Sequence, residues 1–470
     1  MLLSEAAGYM EGELLCDEET WMASVGSDSR NIAPQELFFA LKGENFDGHI
    51  YAEQALKQGA SAVVVSDKNC IARPAILVKD TLLALGMLAK SWRNQFAIPL
   101  VAVTGSNGKT TVKEMLTAIL KAASAKPDAV LATVGNLNNH IGMPMTLLKI
   151  RDYHAFAVIE MGMNHLGEID YLTRIAQPTV AVINNAGTAH IGELGSRENI
   201  AKAKGEIFAG LAEGGIAVIN ADDNFADYWK SLNKNRKIIT FGLNRLDRQN
   251  RADITAVFAE KDCVNQVNLT TPNGMVTFNL AMLGKHNISN ALAASACALA
   301  LGISNIDIAS GLSNMQAVYG RLQRRAGVNG ALVIDDTYNA NPDSMKAAID
   351  VLATYKNSIF VMGDMAELGE DALEMHAEIG DYAKQKAIGQ FYALGDLSAK
   401  ASEQFGQNAV HFNSLENLVS RLKTQMKQGV TVLVKGSRFM QMERVVALII
   451  EESAEIIIEK TIEREKSQCC

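Results

Sequence analysis

The sequence predicts an α/β protein of three domains, two of them doubly wound around parallel sheets. Three observations carry this. Short apolar runs alternate with helical stretches between residues 100 and 221, and again between 331 and 436, and strands separated by helices pair in parallel. The runs are continuously apolar rather than alternating, as strands covered on both faces are. Third, a loop rich in glycine, lysine and threonine, TGSNGKTT at 104–111, lies between one such run and a helix.

Residues 1–80 hold short β-rich pieces, among them Ala62–Val65 and Ala75–Val78, followed by a helix over about 81–96. LVAVTG at 100–105 ends in glycine as a buried parallel strand does, and helical patterning runs from Val112 to about Ala122. Further buried strands are AFAVIEMG (155–162), TVAVINN (179–185) and GIAVINA (215–221). From 235 to 282 the texture alternates between apolar and polar, with a turn at Thr271–Gly274, which reads as a small antiparallel excursion. An alanine-rich helix at 287–301 closes it. A new α/β pattern follows Gly320, with strands ALVIDD (331–336), SIFVMG (358–363), FYALG (391–395) and TVLVKG (431–436).

Composition narrows the function classes. The 470 residues are 48% apolar and 20% charged, which is globular usage, and 36 glycines with 8 prolines exclude collagen-like and proline-rich chains. A net charge of -8 offers no bulk attraction to nucleic acid or anionic lipid. The six cysteines (Cys16, Cys70, Cys263, Cys297, Cys469, Cys470) form no CxxC pair or Cys/His cluster, so neither a disulfide framework nor a zinc site is indicated. The acidic N-terminus lacks the basic n-region of a signal peptide, and ISNALAASACALALGISNI at 288–306 reads as a buried helix rather than a membrane span. A cytoplasmic protein is expected.

In TGSNGKTT, Gly105 and Gly108 let the backbone turn tightly so that N–H groups and a helix N-terminus face phosphate oxygens. Lys109 supplies charge to the β- and γ-phosphates and Thr110 a hydroxyl for Mg²⁺. Ser106, Asn107 and Thr111 complete the loop. Valine at 103 stands where the general phosphate-loop pattern has its first glycine. The reading is ATP or GTP, with the use of the nucleotide left open.

Other candidates stand at strand ends, where ligands meet a parallel sheet. Glu160 ends AFAVIE and offers a hard carboxylate for Mg²⁺, or serves as an ordinary loop glutamate. His190 follows TVAVINN, as a ligand or a hydrogen-bonded structural histidine. Lys204 reads as one solvated lysine beside Lys202. Asn287 and Asn290, three residues apart, face one ligand from a first helical turn, or cap the helix. Asp335 and Asp336 end a strand, and Asn339, Asn341 and Asp343 follow as substrate contacts or helix-start residues. Lys435, Ser437 and Arg438 meet an anionic substrate or cap a helix.

Taken in order, TGSNGKTT, GNLNNHIGMP, IEMGMNHLGEI, NNAGTAHIGELGS, AKAKGEIF, GKHNISNALAA, GRLQ, DDTYNANPDSM and VKGSR resemble the Mur ligases of peptidoglycan synthesis, over Asp28 to Arg438. Within that family the chain is most similar to the branch that adds D-alanyl-D-alanine. The resemblance implies a UDP-substrate domain at 1–82, a P-loop ATPase-like domain at 83–314 and a Rossmann-like domain at 315–470 that binds the dipeptide and part of ATP. It implies an ATP-dependent amide ligase joining D-alanyl-D-alanine to UDP-MurNAc-tripeptide through an acyl phosphate, the last cytoplasmic step in making the nucleotide-linked pentapeptide precursor. It also implies a monomer.

Carried over residue by residue, Lys109 stabilises the transferring phosphate, while Thr110 and Glu160 hold one Mg²⁺. His190 helps hold a second, together with Lys204 if that lysine is carbamylated. Asn287, Asn290, Arg321 and Asp336 contact the nucleotide. Ser29, Arg30, Lys42, Gly43, Phe46, Asp47, Gly48 and His49 match the UDP-binding module, and Asn136, Asn138 and Asn139 face the muramoyl part. Tyr338, Asn339, Asn341, Asp343, Lys435, Ser437 and Arg438 belong to the dipeptide side. Competing readings are another Mur ligase such as the one adding the third residue, a folylpolyglutamate synthase-like ligase, a nucleotide switch or motor, and a non-catalytic UDP-sugar binder.

Overall fold

The computed structural model describes residues 1–16, 20–43, 46–70, 72–243, 252–261, 264–315 and 317–451. Cys263 and the charged tail with Cys469 and Cys470 lie outside them.

Three sheets stack along the chain, and a fourth, smaller one flanks the second. The N-terminal sheet has five short strands in the spatial order Glu13–Leu15, Ala75–Leu77, Ala62–Val65, Glu36–Phe39, Ser24–Gly26, antiparallel only at its first pair. The central sheet has six parallel strands in the order Lys237–Phe241, Ile216–Asn220, Val180–Ile183, Leu100–Thr104, Phe156–Glu160, Val130–Ala132. The third again has six strands, parallel apart from the edge strand Gln323–Gly327. Among the described residues no helix is long and apolar enough to cross a membrane.

The continuous apolar runs become strands because both faces are covered. Leu100, Val101, Ala102 and Val103 have no exposed surface. Helix Lys285–Ala300 is buried nearly all round because it lies between the central sheet and the three-stranded antiparallel sheet Thr255–Lys261, Val264–Thr271, Gly274–Leu280. Alanine on every face keeps that three-layer sandwich thin.

The antiparallel excursion is smaller than the texture suggests. Lys237–Phe241 pairs in parallel with Ile216–Asn220 and ends the central sheet, and the partial exposure of Lys237 to Thr240 is that of an edge strand rather than a hairpin arm. The phosphate-loop helix begins at Lys109, three residues before its apolar period starts, because the loop is its first turn. Val130–Ala132, Gln323–Gly327 and Ala409–Phe412 are edge strands of three to five residues, too short to show a period.

The N-terminal and central sheets share one apolar core, from Leu3 through Leu85 and Ala102 to Trp229. Helix Thr81–Arg93 is stapled between them. Its Asp80 cap accepts from the N–H groups of Leu82 and Leu83 at 2.8 and 2.9 Å, and Trp92 donates to the Ile150 carbonyl at 3.1 Å.

The phosphate-loop helix is held from behind by helix Asn305–Ser313, where Gly311 meets the backbone of Ile119; a Cβ there would stand 2.4 Å from the Ile119 Cα. Alanine is a better helix former than glycine, yet here backbone stands in its way. Gly311→Ala is expected to destabilise the protein by about 1–3 kcal/mol through overpacking. Thermal melts of the two proteins side by side check this, and a midpoint at or above wild type would show that the helices have room.

Candidate active site

The C-terminal edge of the central sheet opens into a cavity of about 990 Å³ shared with the third domain. Its floor is the phosphate loop. Gly108 caps the loop helix with a left-handed φ of 78°, and a Cβ at that position would stand 2.4 Å from the Asn290 side-chain oxygen and 2.6 Å from the Asn184 amide. Only glycine fits.

Four asparagines hold this loop. Asn184 Nδ2 donates to the Asn107 carbonyl at 2.9 Å and to Asn290 Oδ1 at 2.8 Å. Asn185 Oδ1 accepts from Asn107 N–H at 2.8 Å, and its Nδ2 donates back to the Asn107 carbonyl at 3.0 Å. Asn290 donates to Asn287 at 3.1 Å, which donates to the Leu283 carbonyl at 2.7 Å. In this arrangement Asn287 and Asn290 face the loop, and Asn290 leans on it directly. Asn184 and Asn185 were not singled out from sequence, although their strand-end position was the available signal.

Lys109 is half-buried, and its Nζ donates to the Gly105 carbonyl at 2.7 Å. Burial lowers its pKa from the usual lysine value, opposed by the charge of Glu160. Thr110 Oγ1 donates to Glu160 Oε2 at 2.9 Å and accepts from Arg321 Nη2 at 2.9 Å. Asn138 Nδ2 donates to the other Glu160 oxygen at 2.7 Å. The Glu160 carboxylate is therefore fixed on both oxygens at the mouth of the loop. Arg321 also lies over the Tyr338 ring, 4.3 Å from its centre.

Lys204 is not a solvated lysine. It is 1% exposed, and burial, together with the charge of Lys109, pushes its pKa well below the lysine range. Burial of this kind favours the neutral amine over the ammonium ion. His190 takes a left-handed φ of 62°, and its Nδ1 lies 2.7 Å from the Glu367 carboxylate of the third domain.

That domain supplies the roof. Asn341 caps helix Pro342–Leu352, accepting from Ser344 N–H at 2.9 Å, while its Nδ2 donates to Asn107 Oδ1 at 2.8 Å. Asp343 accepts from the N–H and hydroxyl of Thr188 at 2.8 and 3.0 Å. Asp336 pairs with Lys435 at 2.6 Å, and Lys435 also donates to the Asn339 carbonyl at 3.0 Å. Lys435 therefore has its charge answered within the protein. Arg438 pairs with Glu443 at 2.7 Å, and the Ser437 hydroxyl donates to the Asp364 carbonyl. Asn339, Tyr338 and Arg438 line the cavity with Phe439, His286 and Glu367, which the sequence reading did not select as site residues.

The residues matched to a UDP module stand elsewhere. None of Ser29, Arg30, Lys42, Gly43, Phe46, Asp47, Gly48 or His49 lines the cavity, whereas Asn136, Asn138 and Asn139 do. Arg30 forms a fork with Asp28 at 2.8 and 2.7 Å, Lys42 lies 3.5 Å from Asp47, and Gly43 N–H donates to the Phe46 carbonyl at 2.8 Å. Phe46 is exposed and stacks on Tyr51. His49 is spent internally, with Nδ1 against Asp47 at 2.6 Å and Nε2 accepting from Ser66 N–H at 2.9 Å. Ser29 is buried, and Gly48 packs against the Leu41 carbonyl.

Residues 22–93 match the family description "Mur ligase family, catalytic domain", 103–298 the "Mur ligase middle domain" and 320–438 the "Mur ligase, glutamate ligase domain". The UDP-N-acetylmuramoyl-tripeptide–D-alanyl-D-alanine ligase of Haemophilus influenzae is 42% identical over 94% of this chain and 96% of its own length. Among solved structures, MurF from Acinetobacter baumannii superposes with a TM-score of 0.87 at 36% identity, covering 94% of this chain and 97% of that one. MurF ligase from Thermotoga maritima in complex with ADP gives 0.81 at 29%, covering 91% and 97%. A phosphate loop braced by asparagines, a carboxylate locked onto its threonine and a relative matched almost end to end place this chain in the Mur ligase family.

Proposed function

We propose that the protein is an ATP-dependent ligase that joins D-alanyl-D-alanine to the terminal carboxylate of UDP-MurNAc-tripeptide. The observation that carries this reading is the near full-length 42% identity to an enzyme of that name, combined with Lys109, Thr110, Glu160 and Arg321 gathered in one cavity. ATP enters with its phosphates on the helix N-terminus and on loop N–H groups other than those of Ser106 and Asn107, which Asn185 already engages. The tripeptide carboxylate attacks the γ-phosphorus, ADP leaves, and the resulting acyl phosphate is attacked by the dipeptide amine, which releases phosphate and a proton. Activation turns a poor leaving group into a good one.

Lys109, held in register by the Gly105 carbonyl, stabilises charge on the transferring phosphoryl group. Arg321 comes from the opposite domain to the same spot. The donor set suits magnesium: a buried carboxylate, Glu160, beside the Thr110 hydroxyl. Among the described residues no cluster of three or more His, Cys, Asp or Glu forms an all-protein cage, and magnesium commonly takes one or two carboxylates and fills its shell with phosphate and water. Thr110 and Glu160 would hold one such ion, and His190 with carbamylated Lys204 a second. When bound, the ions neutralise charge developing on the phosphates.

Lys204 suits carbamylation on chemical grounds, since a buried amine with a depressed pKa adds to carbon dioxide as its free base. The division into 1–82, 83–314 and 315–470 follows the substrate's length. Arg30, Lys42 and Phe46 would take the uridine diphosphate end. Asn136, Asn138 and Asn139 would lead the muramoyl peptide into the cavity. Asn339, Asn341, Asp343 and Arg438 would receive the dipeptide. Residues already engaged, His49, Lys435 and Ser437, would shape these sites rather than touch ligand. A monomer in the cytoplasm fits these small substrates.

Release of ADP and phosphate by the purified protein is expected only when ATP, UDP-MurNAc-tripeptide and D-alanyl-D-alanine are all present, with a UDP-MurNAc-pentapeptide in the mass spectrum. Turnover with another amino acid in place of the dipeptide would keep the family and overturn the substrate. Lys109→Ala is expected to lower kcat by about 10²–10³-fold while calorimetry shows unchanged affinity for the UDP substrate; loss of that affinity would reassign the lysine. Lys204→Ala is expected to be inactive and partly restored by added acetate or formate. Full activity without rescue would remove Lys204 from the metal site.

A further inference from the structure

Glu367 has no role in the reaction described above, yet its surroundings are built with care. It comes from the third domain and reaches the central one, where its carboxylate lies 2.7 Å from His190 Nδ1. Both residues adopt left-handed backbone, with φ of 61° and 62°, which is uncommon outside glycine and is held only when the surroundings enforce it. The enforcement is visible. Gly192 N–H donates to the Glu367 carbonyl at 3.1 Å, and a Cβ on Gly192 would stand 2.6 Å from the Gly369 nitrogen, so the two loops touch at backbone level.

Each loop is anchored within its own domain. On the Glu367 side, His376 accepts from Met365 N–H at 2.9 Å and its Nδ1 lies 2.6 Å from the Ala372 carbonyl, while Asp364 accepts from Ser398 N–H at 2.7 Å. On the His190 side, Asp223 accepts from Ala186 N–H at 2.9 Å and Arg197 donates to the Ala186 carbonyl at 3.1 Å. The ring and the carboxylate are thus brought together by two firm supports, one on each domain.

An imidazole whose Nδ1 faces a carboxylate carries its proton there and leaves the Nε2 lone pair free. Metal-binding histidines are set in the same way, by a carboxylate or carbonyl on the ring nitrogen that does not ligate. We infer that Glu367 is a positioning residue: from the third domain it selects the Nδ1–H tautomer of His190 and turns Nε2 toward the reacting phosphates, so that the second metal position is finished only when the two domains meet. This rests on the proposed function for the metal's presence, but the tautomer lock belongs to the chain alone. The ring is not aligned for a linear hydrogen bond in this structure, in keeping with site geometry that tightens when the reacting complex forms.

The test uses the full chain labelled with ¹⁵N-histidine, with a non-hydrolysable ATP analogue and UDP-MurNAc-tripeptide present. EDTA is added so that no metal selects the tautomer, and spectra are recorded at pH about 8.5, above the ordinary histidine range. The His190 signal, identified by its loss in His190→Asn, is expected as Nδ1–H in wild type and as Nε2–H or a mixture in Glu367→Ala. Glu367→Gln, the same shape without charge, is expected to fall between them and guards against a misfolded alanine variant. In turnover, Glu367→Ala is expected to lower kcat by about 10- to 100-fold with KM for the UDP substrate unchanged. An Nε2–H ring in wild type, or an unaltered tautomer in both variants, overturns the inference even in a protein that ligates. A locked tautomer in a protein that does not ligate supports the inference and overturns the proposed function alone.

Discussion

The left-handed turn at Gly108 is the constraint on which the site depends. It reverses the chain between a buried strand and a helix so that the loop's N–H groups point outward. A loop of that shape has no ladder to hold it, and its carbonyls must be satisfied sideways. Asn184 and Asn185 meet that need from a neighbouring strand end, and Asn290 on the helix behind accepts from Asn184 and holds it in place. Leaving one such buried partner unmade costs about 1–3 kcal/mol, so the network fixes both the loop and the packing of the alanine-rich helix. Helix Lys285–Ala300 is in this sense part of the nucleotide site, although it belongs to the core.

The two domain junctions differ in their balance of apolar and polar contact, since among the described residues only Leu283 and Ile191 of the central domain join the third domain's apolar core. The N-terminal and central sheets share a continuous apolar core, which opens only by exposing hydrocarbon to water. The central and third domains meet across the cavity through polar bridges: Arg321 to Thr110, Asn341 to Asn107, Asp343 to Thr188 and Glu367 to His190. Water replaces such partners at small net cost. The substrate's nucleotide end would therefore rest on a fixed frame, while the roof over the phosphates is the part suited to opening and closing.

Electrostatics in the site follow from this enclosure. Burial lowers the pKa of both Lys109 and Lys204, with Arg321 adding to the shift at Lys109 and Lys109 to that at Lys204, and Glu160 is the first charge opposing the shift at Lys109. Around the loop Arg321 adds positive charge to that of Lys109, and Glu160 and Glu367 oppose it, in an enclosed pocket where such charges act strongly on a bound phosphate. The third domain is arranged differently. Lys435 is matched to Asp336 and Arg438 to Glu443, so its polar groups offer shape and direction more than net charge.

Much of this was legible in the chain. Continuous apolar runs ending in glycine or a polar residue revealed the parallel strands, because burial on both faces leaves a local mark on composition. The phosphate loop was legible because its chemistry lies in eight consecutive residues, and Glu160 and His190 because strand ends are where such sheets bind ligands. Three things required the tertiary structure. Edge strands such as Lys237–Phe241 and Gln323–Gly327 are partnered by distant segments, so their direction has no local signature. Lys204 reads as an ordinary helix lysine beside Lys202, and only packing buries it and so lowers its pKa. Glu367 and His190 are far apart in sequence, and a contact between two left-handed loops leaves no spacing or period to read. Local order is written by neighbours along the chain; pairing, burial and charge balance are decided by neighbours in space.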